Sequence, residues 1–367
     1  MMNKMIVSNL AHRPVRSAIS ILAIALEVVL ILLIVGLSLG MLNDSRTRQS
    51  GVGADVIVLP PSSSNLVGIT GSPMPVKIGE LIRRLPHVAA VSPVLWQVST
   101  AGSLQTIWGI DLPSFDALRP FTYLEGGPFQ GASDILVDDI YANGHHSKVG
   151  DAVNLFNHSF RIAGIVPHGK GARLFLQLAT LQDLNGASGR TSVFYVKADR
   201  PENADLLKSE IKGIPNMGTY LVYSMQEYVS TITPENIPMF STFIRIVIGV
   251  AVTIGFIVIF QAMYAAVMER TREIGILKSL GASKFYIVNV ILRETTLLAL
   301  AGVIVGIVIS FVTKSGIRER IPTLPIEINA GWVVRAIVIA LVGSLAGAIY
   351  PAFKAAQKDP IDALAYE

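Results

Sequence analysis

Residues 21–42 read ILAIALEVVLILLIVGLSLGML, an apolar run with a single charged side chain, Glu27. At 1.5 Å rise per residue, about 20 apolar residues cross the roughly 30 Å hydrocarbon core of a bilayer. The run, taken from Ala18 to Leu42, therefore reads as a membrane-spanning helix. Lys4, Arg13 and Arg16 precede it, as in a signal peptide. The stretch exceeds the roughly 7–15 residues of a signal core, however, and no A-x-A cleavage pattern closes it. It is read as a retained anchor.

Three further runs qualify as spans: 243–268, 295–312 and 332–350, the last bounded by Trp332 and Tyr350 as at an interfacial belt. The composition agrees. Of 367 residues, 51% are hydrophobic and 15% charged, against about 25% charged in soluble domains; the mean hydropathy is +0.54. The formal net charge is +4. Its positive residues gather at the ends of the apolar runs and form no stripe of their own, which argues for membrane orientation and against nucleic acid. Lys4, Arg13, Arg16, Arg270, Arg272, Lys278, Lys284, Arg293, Lys354 and Lys358 fall on one side, and only Lys314, Arg318 and Arg320 in the short loop of the other. The first side is read as cytoplasmic, with both termini inside. The absence of cysteine excludes thiol catalysis, zinc-thiolate sites and disulfides.

The expected architecture is membrane α-helical: four transmembrane helices plus a large extracytoplasmic mixed α/β domain between the first and second. Its segments are an amphipathic cytoplasmic N-terminus (1–17), helix one (18–42), the outer domain with its stalk (43–240) and helix two (243–268). A cytoplasmic helix with the approach to the third span follows (269–294), then helix three (295–312), an external loop (313–331), helix four (332–350) and a cytoplasmic tail (351–367). Within the outer domain ADVIVLP, VAAVSPVLW, QTIWGID, DILVDD, DAVNLF, FRIAGIVP and TSVFYVKAD are short β-like runs bounded by turn residues. IGELIRRLPHV predicts a helix with Ile78, Leu81, Ile82 and Leu85 on one face, stopped by Pro86, and LLKSEIKGI predicts another. PPSSSNLVGITGSPMP reads as a loop, and TITPENIPM, with Pro234 and Pro238, as a stalk.

Gly-x-x-x-Gly spacing at Gly36/Gly40, Gly302/Gly306 and Gly343/Gly347 lets helix backbones approach closely in lipid, so these positions are expected to pack helices. Glu27 is costly in a span. It is expected to face protein or water, either as a polar contact with a neighbour such as Gln261 or as a proton or substrate site.

Several patterns imitate chemistry. Gly164-Ile-Val-Pro-His-Gly169-Lys170 has the spacing of a phosphate-binding loop, but Gly171 stands where a magnesium-binding hydroxyl is required. It is read as a strand and turn. His145, His146, His158 and His168 match no tight metal-ligand spacing, and Asp138-Asp139 reads as a solvated turn. No catalytic constellation can be assembled, so neither a catalytic role nor a bound cofactor or metal is expected.

After the second span, residues 268–280 (MERTREIGILKSL) predict a helix with Glu269 and Glu273 near its start and Lys278 in its last turn, matching the macrodipole. Gly281 is a natural stop, and Ser283 a cap for the next helix. Ile274, Leu277 and Leu280 form an apolar edge that has to dock on a protein or on the membrane surface.

The stretch Glu269-Arg270-Thr271-Arg272-Glu273-Ile274-Gly275-Ile276-Leu277-Lys278-Ser279-Leu280-Gly281-Ala282 resembles the hallmark of FtsX-like, MacB-type permeases of ABC transporter systems. Pro351-Ala352-Phe353-Lys354-Ala355-Ala356 and Asp359-Pro360-Ile361-Asp362-Ala363-Leu364 resemble their C-terminal signature. Asn9-Leu10 with Arg13 and Arg16 ahead of a long helix is also similar, and GIDLPSFDAL and KVGDAVNLFNHSFRIAGIV resemble the family's periplasmic core domain. The resemblance implies a stand-alone permease without a fused ATPase, similar to lipoprotein-releasing subunits and set in the bacterial inner membrane. It would pair with a second permease chain, as a homodimer or heterodimer, and bind a cytoplasmic ABC ATPase that carries the ATP and Mg. Membrane lipid and a periplasmic adaptor protein are further partners it implies. Glu269, Arg270, Arg272, Glu273, Ile274, Gly275, Leu277, Lys278 and Gly281 would form the ATPase-coupling element, transmitting motion to the outer domain for export or extraction of a substrate. The alternative is an FtsX-like regulator of an external cell-wall hydrolase.

Overall fold

A computed structural model describes residues 14–61, 63, 73–99, 105–237 and 240–358. Asn9, Leu10, Arg13, the tail motif 359–364 and most of the loop 60–75 lie outside the described residues. Among the described residues four helices are long and apolar enough to cross a membrane: α1 (Pro14–Gly51), α8 (Phe240–Glu269), α10 (Lys284–Arg320) and α11 (Ala330–Gln357). Each runs beyond its apolar window; α1 continues past Leu42 to Gly51. The chain forms two compact units. One holds residues 1–39, 241–319 and 326–367, the other residues 40–240 and 320–325.

The second unit is built in the order β1 (Val56–Leu59), β2 (Met74–Pro75), α2 (Ile78–Arg83), β3 (Val88–Ser99), β4 (Gln105–Ile110), α3 (Leu112–Leu118), β5 (Glu125–Gly126), β6 (Asp134–Asp138), α4 (Asp139–His145), β7 (Ala152–Leu155) and β8 (His158–Val166). There follow β9 (Leu174–Gln177), α5 (Leu178–Leu184), β10 (Arg190–Thr191), β11 (Val193–Ala198), α6 (Ala204–Gly213), β12 (Leu221–Ser224) and α7 (Met225–Thr231). The main sheet runs β12-β1-β11-β3-β4-β9-β6-β8-β5, with β7 on β8. Among the described residues only β4–β9 and β6–β8 pair in parallel. The seven β-like runs of the sequence all become strands. Pro93 is tolerated inside β3 because pairing with β4 begins only at Val94, so no neighbour needs its missing N–H.

Alternation sorts side chains to the two faces. Trp96 and Trp108 join one core with Ile57, Phe115, Phe175 and Tyr195, while Leu95 and Ile107 join another with Ile135 and Leu176. Trp108 stacks on Trp96 and Tyr195, with centroids 5.7 and 5.5 Å apart, and meets Phe115 and Phe175 edge-on. Leu81 departs from the expected helix face: Ile82 is fully buried, with Ile78 and Leu85 partly buried against the same core, while Leu81 is exposed.

One expectation about a polar group is corrected here. Asp138 is not in a solvated turn. Buried at 1% exposure, it caps α4 by accepting from the Tyr141 amide (2.6 Å) and pairs with Arg173 at 3.3 Å. Arg173 also reaches Asp44, at 3.2 Å, and Arg48 closes the cluster on Asp44. Burial pushes the Asp138 carboxyl up to about 6, against the pull of Arg173. The phosphate-loop lookalike is a strand, β8, and a turn, as read, with a structural purpose of its own. Lys170 is buried, with Nζ 3.7 Å from the Phe121 ring centroid and 4.8 Å from that of Phe115, and it donates to the Arg119 carbonyl. Desolvation lowers its pKa to about 8. At Gly171 φ is +72°, and a Cβ there would lie 2.3 Å from the Trp108 ring, so no hydroxyl-bearing residue fits. The Gly171 amide instead donates to the Arg48 carbonyl, at 2.8 Å. Of the histidines, His168 pairs with Asp139 at 3.0 Å and His145 stacks on Tyr141.

In the first unit the glycines divide by what stands opposite. A Cβ on Gly302 would lie 2.7 Å from Ile24 Cβ, and one on Gly306 2.8 Å from the Ala25 carbonyl oxygen, so α10 meets α1 backbone to backbone. Gly347 approaches the Phe256 carbonyl of α8 in the same way, at 2.9 Å, whereas Gly343 has only ordinary contacts. Gly36 faces the extended segment 326–328 rather than a helix, and its carbonyl accepts from the Glu327 amide at 2.8 Å. Gly40 is buried and belongs to the other unit. Glu27 does not meet Gln261, which is exposed. Its carboxylate fits a notch at Gly255, where a Cβ would come within 2.1 Å, with Gly343 opposite. Two missing side chains, on α8 and α11, leave the room that a carboxylate between helices needs.

Candidate coupling site

The expected single helix over 268–280 is two pieces. α8 ends at Glu269, Arg270 stands between them at φ −105° and ψ 18°, and α9 runs from Thr271 to Ser279. Glu269 thus closes one helix, while Glu273 sits in the first turn of the next. Thr271, buried, turns its Oγ1 onto the Met268 carbonyl at 2.9 Å, satisfying an acceptor released at the break. At the other end Gly281, φ +91°, donates to the Lys278 carbonyl and Ala282 to that of Leu277, each at 3.0 Å. These are the paired bonds of a Schellman stop, and they need a left-handed residue at Gly281. The Ser283 hydroxyl then caps α10, accepting from the Tyr286 amide.

The faces of α9 differ from the expected edge. Ile274 packs on Val267, Ile287, Ala355 and Ala356 of the chain itself, and Gly275 is buried. Lys278 is tied to the Ala356 carbonyl at 3.0 Å, and to that of Lys358. Leu277 is half-buried and Leu280 is 80% exposed; Arg272 and Glu273 face solvent. The outward apolar patch is therefore Ile276 (45% exposed), Leu280 and Phe285 (77%). Two of its members, Ile276 and Phe285, fell outside the sequence-derived edge, because which side of α9 the tail covers depends on a contact more than 70 residues away. Beside α9 lies a groove of about 450 Å³ with walls from Met263, Ile274, Leu277 and Ile291 and with Arg270 and Glu294 on its lining. Glu294 and Arg16 were also missed as site residues. The one signal was a carboxylate at the very entrance to a span, beside Arg293.

Residues 17–214, more than half of the chain, match the family described as MacB-like periplasmic core domain, and residues 245–360 match the FtsX-like permease C-terminal family. The chain belongs to the FtsX/MacB-type family of ABC transporter permeases. An uncharacterized ABC transporter permease of Bacillus subtilis, YknZ, is 31% identical over 231 residues, covering 60% of this chain and 58% of the relative. The macrolide export ATP-binding/permease protein MacB of Bdellovibrio bacteriovorus is 23% identical over 398 aligned positions, 98% of this chain and 60% of the relative. The chain thus spans about three fifths of the length of each. Among solved structures, the periplasmic region of MacB from Actinobacillus actinomycetemcomitans shares 13% identity at a TM-score of 0.39, covering 50% of this chain and 94% of that one. As a permease of this type it is a multi-pass membrane protein with four apolar helices and a mixed α/β domain between the first and the rest. The FtsX-like match contains the whole of α9, the Schellman turn and the described tail.

Proposed function

We propose that the chain is the membrane subunit through which a separate cytoplasmic ATPase moves the extracytoplasmic domain, driving export or extraction of a substrate across or out of the bacterial inner membrane. The observation that carries this reading is α9 with the turn that follows it: a nine-residue helix between two spanning helices, fixed to its own chain through Ile274 and Lys278, with exposed apolar side chains at Ile276 on the helix, Leu280 just after it and Phe285 at the start of α10. Apolar area of this kind among charges fits a protein partner, and the charged neighbours Arg272, Glu273 and Lys284 supply the polar rim of such a contact. The relatives support the type of partner, since the MacB proteins carry ATP-binding and permease functions under one name. In this reading ATP and Mg sit on the partner, this chain performs no hydrolysis, and two permease chains pair. Both termini and α9 lie in the cytoplasm, and residues 43–240 outside.

The test is co-purification with the host's ATPase and ATP turnover in nanodiscs. Leu280→Asp and Phe285→Asp, at exposed positions, are expected to abolish ATPase binding while the chain still inserts. Gly275→Leu probes only internal packing, because Gly275 is buried in this chain. Full ATPase binding by both aspartate variants would refute the assignment and favour α9 as a membrane-surface helix.

A further inference from the structure

Charged side chains from three places meet at the root of α9. Glu294 of α10 is 3% exposed. Arg270, the residue between α8 and α9, donates through Nη1 to its Oε2 at 3.1 Å. Arg16 of α1 places Nη2 3.7 Å from its Oε1 and donates to Glu269 Oε2 at 3.2 Å. The arginine side chains are themselves only 13% and 15% exposed. All four groups belong to the first unit.

The location gives the cluster its meaning. α8 and α9 are separate helices with Arg270 between them, which makes Arg270 the joint on which α9 would pivot. The remaining contacts of α9 with its chain are the apolar packing of Ile274 on Val267, Ile287 and Ala355 and, at the far end, the Lys278 hydrogen bonds to the carbonyls of Ala356 and Lys358. A tie at the far end leaves the angle at the root to be set there, and apolar surfaces tolerate sliding and small rotations. A buried ion pair does not, because separation leaves a charge without its partner in a medium that solvates it poorly. We infer that Glu294 is a positioning residue, which sets the angle of α9 by clamping the pivot Arg270 and links that angle to the start of α1 through Arg16. The inference rests on the coupling role proposed above for α9. A push on Leu280 and Phe285 then moves α8 and α10 as one piece with α9, in place of flexing at the break.

The experiment uses the full chain in nanodiscs, alone and with its ATPase. Glu294→Gln, Arg270→Gln and the double variant are compared, with spin labels at the exposed positions Ser279 and Phe353. The double variant carries a neutral amide pair and serves as the folded control where a single variant leaves a charge stranded. Each variant is expected to retain ATPase co-purification but to lose stimulated turnover by roughly tenfold, within the span by which single residues modulate coupling between sites. The double variant is expected to be no worse than either single, since one contact is lost in all three. The Ser279–Phe353 distance distribution is expected to broaden in every variant, in the chain alone as well. An unchanged, narrow distribution or full turnover in the double variant overturns the inference. Failure of the unaltered chain to bind any ATPase overturns the proposed function instead, and the label distances still decide whether Glu294 sets the angle.

Discussion

Adding one methyl group at each of four glycines tests the packing of the bundle quantitatively, because the added atom is identical and only its surroundings change. At Gly306 the new Cβ would lie 2.8 Å from the Ala25 carbonyl oxygen, 2.8 Å from Val28 Cβ and 3.1 Å from Ala25 Cα. Ordinary contact begins at 3.4 Å, so α10 and α1 have to separate by about half an ångström, and a backbone carbonyl cannot rotate away. Such overpacking costs about 1–3 kcal/mol, only partly offset by up to about 1 kcal/mol of helix propensity gained from glycine to alanine. At Gly302 the nearest atoms are Ile24 Cβ and Cγ2 at 2.7 and 2.9 Å, followed by the Ile21 carbonyl, so a net loss of similar size is expected. At Gly347 the Phe256 carbonyl stands at 2.9 Å, again immovable. At Gly343 nothing comes closer than 3.7 Å, and alanine is expected to be neutral or stabilising. The assay is unfolding of the purified chain in mixed detergent by SDS titration, followed by circular dichroism. Destabilisation by Gly343→Ala as large as that by Gly306→Ala would refute the assignment of close backbone approach to Gly302, Gly306 and Gly347.

Lys170→Ala removes a buried cation from two aromatic faces and a charge-assisted hydrogen bond, and is expected to destabilise the outer domain by about 2 kcal/mol, leaving nucleotide binding by any partner ATPase unchanged; fluorescence of Trp96 and Trp108 in a Trp332→Phe background follows the unfolding. In the same assay Asp138 carries a defined pH dependence. Its folded pKa is raised to about 6 against about 3.9 unfolded, so its burial penalty is full above pH 6 and lifts as the folded state takes up the proton. The stability contributed by this group should rise as pH falls from about 6 to about 4, by up to about 3 kcal/mol, and Asp138→Asn should flatten that slope. Single cysteines at Ser188 and Ser279, clean in a chain without native cysteine, should label from outside and only after lysis, respectively; the reverse pattern would invert the topology.

The spans and the strands were legible because each is written directly into the chain: long apolar runs for the helices, and short runs rich in β-branched and aromatic residues, bounded by turn residues, for β3, β4, β6, β8 and β11. The short helices α3, α4, α5 and α7 were not, since each is seven residues long and displays barely two turns of periodicity. Strand β9 hides in four residues, Leu174–Gln177. Its parallel pairing with β4 joins residues more than 60 positions apart, which no local pattern records. After α9 the turn chemistry of Gly281 and Ser283 was read correctly from residue type alone. The outward face was not, because helical spacing gives a set of faces without saying which one the tail at Ala355 and Ala356 will cover. Glu27 shows the same limit: the cost of a carboxylate in a span is visible in sequence, but its notch is made by Gly255, a glycine outside every Gly-x-x-x-Gly pair.

Both units place ion pairs where packing alone would be ambiguous. In the outer domain Asp44 and Arg48, on the last turns of α1, meet Arg173 and Asp138; in the bundle Arg16 and Arg270 meet Glu294. Buried pairs of this kind add little net stability, since desolvation consumes most of the attraction, yet breaking one by removing a partner costs about 3–5 kcal/mol. That asymmetry makes them poor glue and good locators. An apolar contact such as Ile274 on Ala355 changes little in energy when it slips by a fraction of an ångström, whereas Arg270 cannot leave Glu294 without breaking a charge-assisted hydrogen bond at a carboxylate that is 3% exposed. Under the proposed function, a chain that carries displacement from one helix to another needs joints of the second kind at its pivots and tolerates the first kind elsewhere. Arg270 stands at the one break between α8 and α9, and it is there that the ion pair is found.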